Sequence, residues 1–226
     1  MANRLFHPIA RAVSLCVVAV VAQPDAALAA NYALTPAADS QVSAGNAATN
    51  YGSDNFLDVH HGAQDTRRSY LRFDLTGLPA GQAITAATLF LYTEGGVQDL
   101  AIDLHHVADD SWGEQTVTWI NKPDYTPGAL ATATTLHDWV SWSLPVASLV
   151  SADADGQWSL LLKLQDESAS ATATFFSRDA TVYPNHLAAA PKPYLTVTTV
   201  PEASTWAMLI AGLGVLGLLR RQTRSA

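Results

Sequence analysis

The sequence predicts an all-β protein: an antiparallel jelly-roll-type β-sandwich, with an N-terminal signal helix and a C-terminal hydrophobic helix at its two ends. Three observations predict it. Apolar and polar residues alternate with period two, as in Ser69 to Leu75, where Leu71, Phe73 and Leu75 share one face and Tyr70, Arg72 and Asp74 the other. Such runs recur at short intervals between Gly-, Pro-, Asn- and Asp-rich breaks. Outside the two ends no stretch has a convincing amphipathic helical period.

Taken in order, the first element is a signal peptide, residues 1–29. Arg4 and Arg11 make its basic region and Ala12 to Ala22 its apolar region. Ala27-Leu28-Ala29 is a small-x-small cleavage pattern, so the mature chain begins near Ala30. An uncleaved anchor is the competing reading. The single cysteine, Cys16, lies ahead of that site. The exported domain therefore has no disulfide and depends on core packing and, as one option, bound calcium.

The middle, residues 30–199, suits one domain. Strands are expected over Ser69–Leu75, Ile84–Thr93, Leu100–His105, Thr116–Ile120, Trp139–Leu144, Trp158–Leu164, Thr172–Ser177 and Tyr194–Thr198, with a short helical turn over Pro145–Val150. Ala131–Thr135 and Ser168–Thr174 read as solvent-facing strands or loops. This region holds seven basic and 18 acidic side chains, a net charge of −11. So acidic a domain is a poor nucleic-acid binder, and no nucleic-acid partner is expected. The charge also opposes an anionic polysaccharide unless cations or a basic patch intervene.

The last segment, residues 200–226, runs from Val200-Pro201-Glu202-Ala203 through 15 uncharged residues, Thr205 to Leu219, to Arg220, Arg221 and Arg224. That is short for a spanning helix, which needs about 20 residues. Trp206 and the arginines suit the two interfaces, with the basic end cytoplasmic. Gly212-Leu-Gly214-Val-Leu-Gly217 spells a dinucleotide-binding fingerprint, but no strand–turn–helix surrounds it. The order of motif, apolar segment and basic end resembles the PEP-CTERM sorting tail, with Ala203 where the second proline usually stands. The resemblance implies recognition of Pro201-Glu202 by an exosortase and the export machinery. It also implies a transient inner-membrane anchor and a final location at the outer surface or in the extracellular matrix. An unprocessed C-terminal anchor is the alternative.

An ordered set of motifs carries a second resemblance. Asn50-Tyr51-Gly52 is followed by Arg68-Ser-Tyr-Leu-Arg-Phe-Asp-Leu75, Leu78-Pro79 and Ile84 to Leu91. Trp112-Gly-Glu114, Val117-Thr-Trp119 and Pro123 come next, then Phe176-Ser-Arg-Asp179 and Pro193 to Val197. The set resembles the DNRLRE domain, also grouped as carbohydrate-binding module family 96 and related to disaggregatase repeats. The resemblance implies a β-sandwich that binds extracellular polysaccharide; it does not by itself imply catalysis.

Residue chemistry supplies the site expectations. Trp112, in a Ser-Trp-Gly-Glu loop, and Tyr125, between Pro123 and Pro127, are expected to expose ring faces that stack on a pyranose. Arg68 and Arg178, with Arg67, can pair with sugar carboxylates or offset the domain's own acid. Trp119 and Trp142 read as core, and Arg72 with Asp74 as part of a salt-bridged layer. Asp39 and Asn50 are candidate calcium ligands. His60-His61 and His105-His106 offer one ligand per face each, with Asp58 or Asp103 as partners. Asp153-Ala-Asp155-Gly156 resembles the start of a calcium loop without the downstream acid. Scattered acids leave a hydrolase or lyase open, but no nucleophile motif is present. A matrix protein without a glycan site is the other alternative.

Overall fold

The computed structural model describes residues 28–96, 99–150, 155–181, 189–201, 212 and 214. The proposed signal peptide, apart from Leu28 and Ala29, lies outside these residues. So does the tail beyond Pro201, except Gly212 and Gly214, which are helical. Among the described residues no helix is long and apolar enough to cross a membrane.

The fold is all-β and every strand pairing is antiparallel. Among the described residues eleven strands follow in order: β1 Ala30–Leu34, β2 Ala38–Ser43, β3 Phe56–Gly62, β4 Asp65–Asp74, β5 Gln82–Gly96, β6 Ala101–Val107, β7 Ala129–Thr134, β8 Trp139–Ser143, β9 Gln157–Leu164, β10 Ala171–Phe176 and β11 Tyr194–Pro201. A short helix, α1 (Val146–Val150), follows Pro145, at the position of the expected helical turn. β1, β11, β5 and β8 form one layer; β10, β3, β4, β9, β6 and β7 form the other, with β2 added to β4. β5 joins them: its first part pairs with β11 and β8, its last residues with β10.

The core explains the alternation. Leu71 and Phe73 of β4, Leu160 and Leu162 of β9 and Ile102 and Leu104 of β6 meet Leu89 and Leu91 of β5, Trp142 of β8 and Leu195 and Val197 of β11. All are buried, so one face of each strand supplies the interior. The opposite face of β4 is also covered. Tyr70 there joins Leu161, Val42, Val107, Trp112 and Val117 in a second apolar cluster, with Trp119 and Tyr125 against its edge. Its lid is the connection 108–128 between β6 and β7.

That connection corrects one expectation. Thr116–Ile120 is not a strand. The Asn121 carboxamide accepts from the Thr118 amide (2.6 Å) and hydroxyl (2.9 Å) and donates to the Thr116 carbonyl (3.0 Å). Local side-chain bonds thus satisfy backbone groups that a ladder would otherwise pair. In the other direction, β1, β2 and β3 arise from segments whose alternation is too weak to declare them; β2 is buried on both faces.

Two motif glycines have physical reasons. A Cβ on Gly52 would lie 2.0 Å from the Glu114 carbonyl oxygen, so Asn50-Tyr51-Gly52 is a close backbone approach to the connection and not only a turn. Gly156 has φ +77°, which opens the turn into β9.

Candidate functional site

The outward residues of β4 build the site from below. Arg68, Tyr70 and Arg72 recur at every second position and all point under the 108–128 connection. Arg72 donates from Nη1 to the carbonyls of Asp110 and Trp112, each at 2.6 Å, and its guanidinium lies 5.2 Å from the Trp112 ring centre. The Tyr70 hydroxyl donates to the Pro123 carbonyl at 2.9 Å; burial raises its pKa. The strand motif therefore acts first as an anchor for the covering loop. Asp74 does not pair with Arg72, as a salt-bridged layer requires; it caps the Thr76 amide and hydroxyl.

Trp112 belongs to this anchor, which corrects its reading as an exposed platform. It is only 6 % exposed. Its Nε1 donates to the buried Ser159 hydroxyl (2.9 Å), and its ring lies 5.9 Å from that of Tyr70. A loop position does not expose a ring when the loop itself is a packed layer. Arg178 is likewise held. Nε and Nη2 reach the two Glu114 carboxylate oxygens (2.9 and 3.2 Å), and Nη1 donates to the Ala37 and Pro36 carbonyls (2.7 and 3.2 Å). Arg67 bridges Asp58 and Asp65 at 2.7 Å each. Burial opposes ionisation of Asp65, but bonds from Arg67, the Gly45 amide and the Ser43 hydroxyl outweigh it and hold its pKa down to about 2.

The structure brings Arg68 and Tyr125 together at the surface. The Arg68 guanidinium lies 5.4 Å from the ring centres of both Tyr125 and Trp119. Glu167 holds it in a fork, at 2.9 and 3.2 Å. Lys122 Nζ sits 4.2 Å from the Trp119 ring centre and donates to the Trp119 carbonyl. Desolvation and the Arg68 charge lower its pKa. Beside this group Ile120 is 73 % exposed. Two half-buried aromatic rings fixed by a planar cation thus form a ledge. Beyond Tyr125 opens a cleft of about 510 Å³ lined by Asp103, His105, Asp124, Tyr125, Pro127 and Lys163. The His105 ring packs edge-on to Tyr125 at 4.8 Å. Its Nδ1 faces the Thr126 carbonyl at 2.9 Å; a carbonyl only accepts, so Nδ1 carries the proton.

Trp119, Lys122 and Lys163 are not site candidates by sequence, and His105 is one only as a metal ligand, not as a wall of this cleft. The alternation of its neighbours assigns Trp119 to a core-facing strand. The usable signal was the Lys122-Pro123-Asp124-Tyr125 run, which stops a strand and leaves the preceding ring at an edge.

For a cation, one three-carboxylate group stands out among the described residues: oxygens of Asp39, Glu114 and Asp179 lie within 4.8 Å of one another. Asp39 is 1 % exposed. Burial pushes its pKa up to about 7, against bonds from the Arg178 amide (2.7 Å) and Ser177 hydroxyl (3.0 Å). Arg178 already places its guanidinium on Glu114, so the donors fit an ion-pair cluster around that arginine better than a calcium cage. Asn50, the other expected calcium ligand, is outside the group. Its amide donates to the Glu114 and Val117 carbonyls (2.8 and 2.7 Å), and its oxygen accepts from the Gly52 amide. The histidine pairs form no joint site. β4 and β9 separate β3 from β6, and His60 and His61 bond threonine hydroxyls.

The molecule is thus an antiparallel sandwich that carries an aromatic–cationic ledge beside a polar cleft. The chain belongs to carbohydrate-binding module family 96, whose model matches residues 30–199. A PEP-CTERM protein-sorting motif matches residues 199–225, which implies export and exosortase-dependent sorting. No curated protein matches the chain. The family points to carbohydrate binding by a binding module rather than a catalytic domain.

Proposed function

We propose that the protein is an exported, non-catalytic polysaccharide-binding module of the extracellular matrix or cell surface. In this reading residues 1–29 are its signal peptide, 30–199 its domain and 200–226 its sorting and membrane tail. The observation that carries the binding site is the ledge: Trp119 and Tyr125 flank one guanidinium, and a cleft with polar walls adjoins them. Ring faces supply apolar contact to a pyranose. Asp103, Asp124 and Lys163 at the cleft supply hydrogen-bonding groups that orient it. Glu167 offsets the Arg68 charge, so Arg68 positions the rings more than it attracts anions.

Affinity electrophoresis of the Ala30–Thr199 domain in gels containing neutral or acidic polysaccharides tests this. The wild type is retarded by one polymer class without shortening it, and Tyr125→Ala and Trp119→Ala lose the retardation. Retardation that survives both substitutions refutes the ledge. Shortened polymer restores the hydrolase or lyase reading. No retardation in any gel favours a structural matrix role.

A further inference from the structure

The sandwich and the sorting motif share residues. The domain match ends at residue 199 and the motif match begins there. β11 runs on through Val200 and Pro201, which pair with Ala83 and Gln82 of β5. Thr199 is 1 % exposed, and its hydroxyl donates to the Gln82 side-chain oxygen. On its other edge β11 is covered by β1, with Ala30 opposite Thr199 and the Thr198 hydroxyl on Asn31 at 2.7 Å. The first strand thus starts where the last one ends, and both chain ends leave from one end of the sandwich. Only Glu202 to Ser204 separate the paired strand from the apolar segment that begins at Thr205. Three extended residues span roughly 10 Å.

Enzymes that cut or exchange a peptide bond take the chain extended, with its backbone groups free to pair. Val200 and Pro201 have one backbone edge committed to β5, and the folded domain leaves no slack to move them. We propose that the end of β11 is a latch on the sorting motif: the tail is processed from the locally opened form in which Thr199–Pro201 have left β5. Local opening of a strand end is far easier than global unfolding, so the latch sets a rate without blocking the reaction. β1 tightens it, because its pairing with Thr199 must also yield. This inference rests on the exosortase reading of the tail.

The test follows tail removal from the full-length precursor by mass, in membranes with and without an exosortase. Three forms are compared: wild type, a variant with six Gly/Ser residues inserted between Thr199 and Val200, and the pair Ala83→Cys with Val200→Cys, whose disulfide clamps the strand end. The expected result is at least fivefold faster removal for the insertion. The oxidised clamp slows removal at least tenfold, and reductant restores the wild-type rate. Equal rates for the wild type, the insertion and the oxidised clamp overturn the latch while leaving exosortase sorting intact. No exosortase-dependent removal from any form overturns the sorting reading and the latch with it.

Discussion

Replacing Trp112 separates the two roles that its position invites. Its indole is buried against Tyr70, lies under the Arg72 guanidinium and donates to Ser159, which is itself fully buried. Trp112→Ala removes the ring volume, at about 3–5 kcal/mol for a buried aromatic. It also leaves the Ser159 hydroxyl without its donor, worth about 1 kcal/mol, so the total lies at the upper end of that range. For a domain of this size each kcal/mol moves Tm by about 2–4 °C, which gives a fall of roughly 10–20 °C. Thermal and urea unfolding followed by near-ultraviolet circular dichroism measure it. Trp112→Phe keeps most of the packing and loses mainly the hydrogen bond, so its Tm falls by only a few degrees. Glycan retention by Trp112→Ala below its lowered Tm follows the folded fraction. A Trp112→Ala protein with wild-type Tm and no glycan retention would refute the anchor and make Trp112 a platform.

Tyr125→Ala behaves oppositely: loss of about 50 Å² of ring contact at 25 cal/mol per Å² weakens polysaccharide affinity about tenfold by titration calorimetry, with Tm little changed. Asp39 sets a pH dependence. Its folded pKa is raised from 3.8 to about 7, so its contribution is fully present below pH 4 and is lost as pH rises through 7. The shift corresponds to at most ~4 kcal/mol, and Asp39→Asn removes that slope from urea-unfolding free energies measured between pH 4 and 8. An unchanged slope shows that Asp39 ionises normally in the fold. Gly52→Ala forces a methyl to 2.0 Å from the Glu114 carbonyl oxygen; the backbone must shift, and stability falls by about 3 kcal/mol or more in urea titration. Glu167→Gln frees the Arg68 charge and raises retention in acidic polysaccharide gels relative to neutral ones; equal retention in both places Arg68 outside the ligand contact.

The sequence by itself determined the all-β class, the antiparallel layers and most strands, because a strand facing one core repeats its chemistry every second residue. Leu71 and Phe73 show this directly, as do Leu89 and Leu91. It also carried the family, through an ordered set of motifs whose residues have packing roles in this fold: Arg72 grips two carbonyls, and a backbone passes beside Gly52. Only the tertiary structure decided which faces see solvent. Trp112 and Trp119 sit seven residues apart in one connection, yet one lies beneath that layer and the other at its edge, and no local period distinguishes them. Likewise Arg178, Glu114 and Asp39 are 64 or more residues apart pairwise, so their cluster exists only once β2, the connection and the end of β10 meet. Strand alternation is a local property of the chain. Exposure and ion pairing depend on what long-range packing lays over each residue, and that physical difference divides what was legible from what was not.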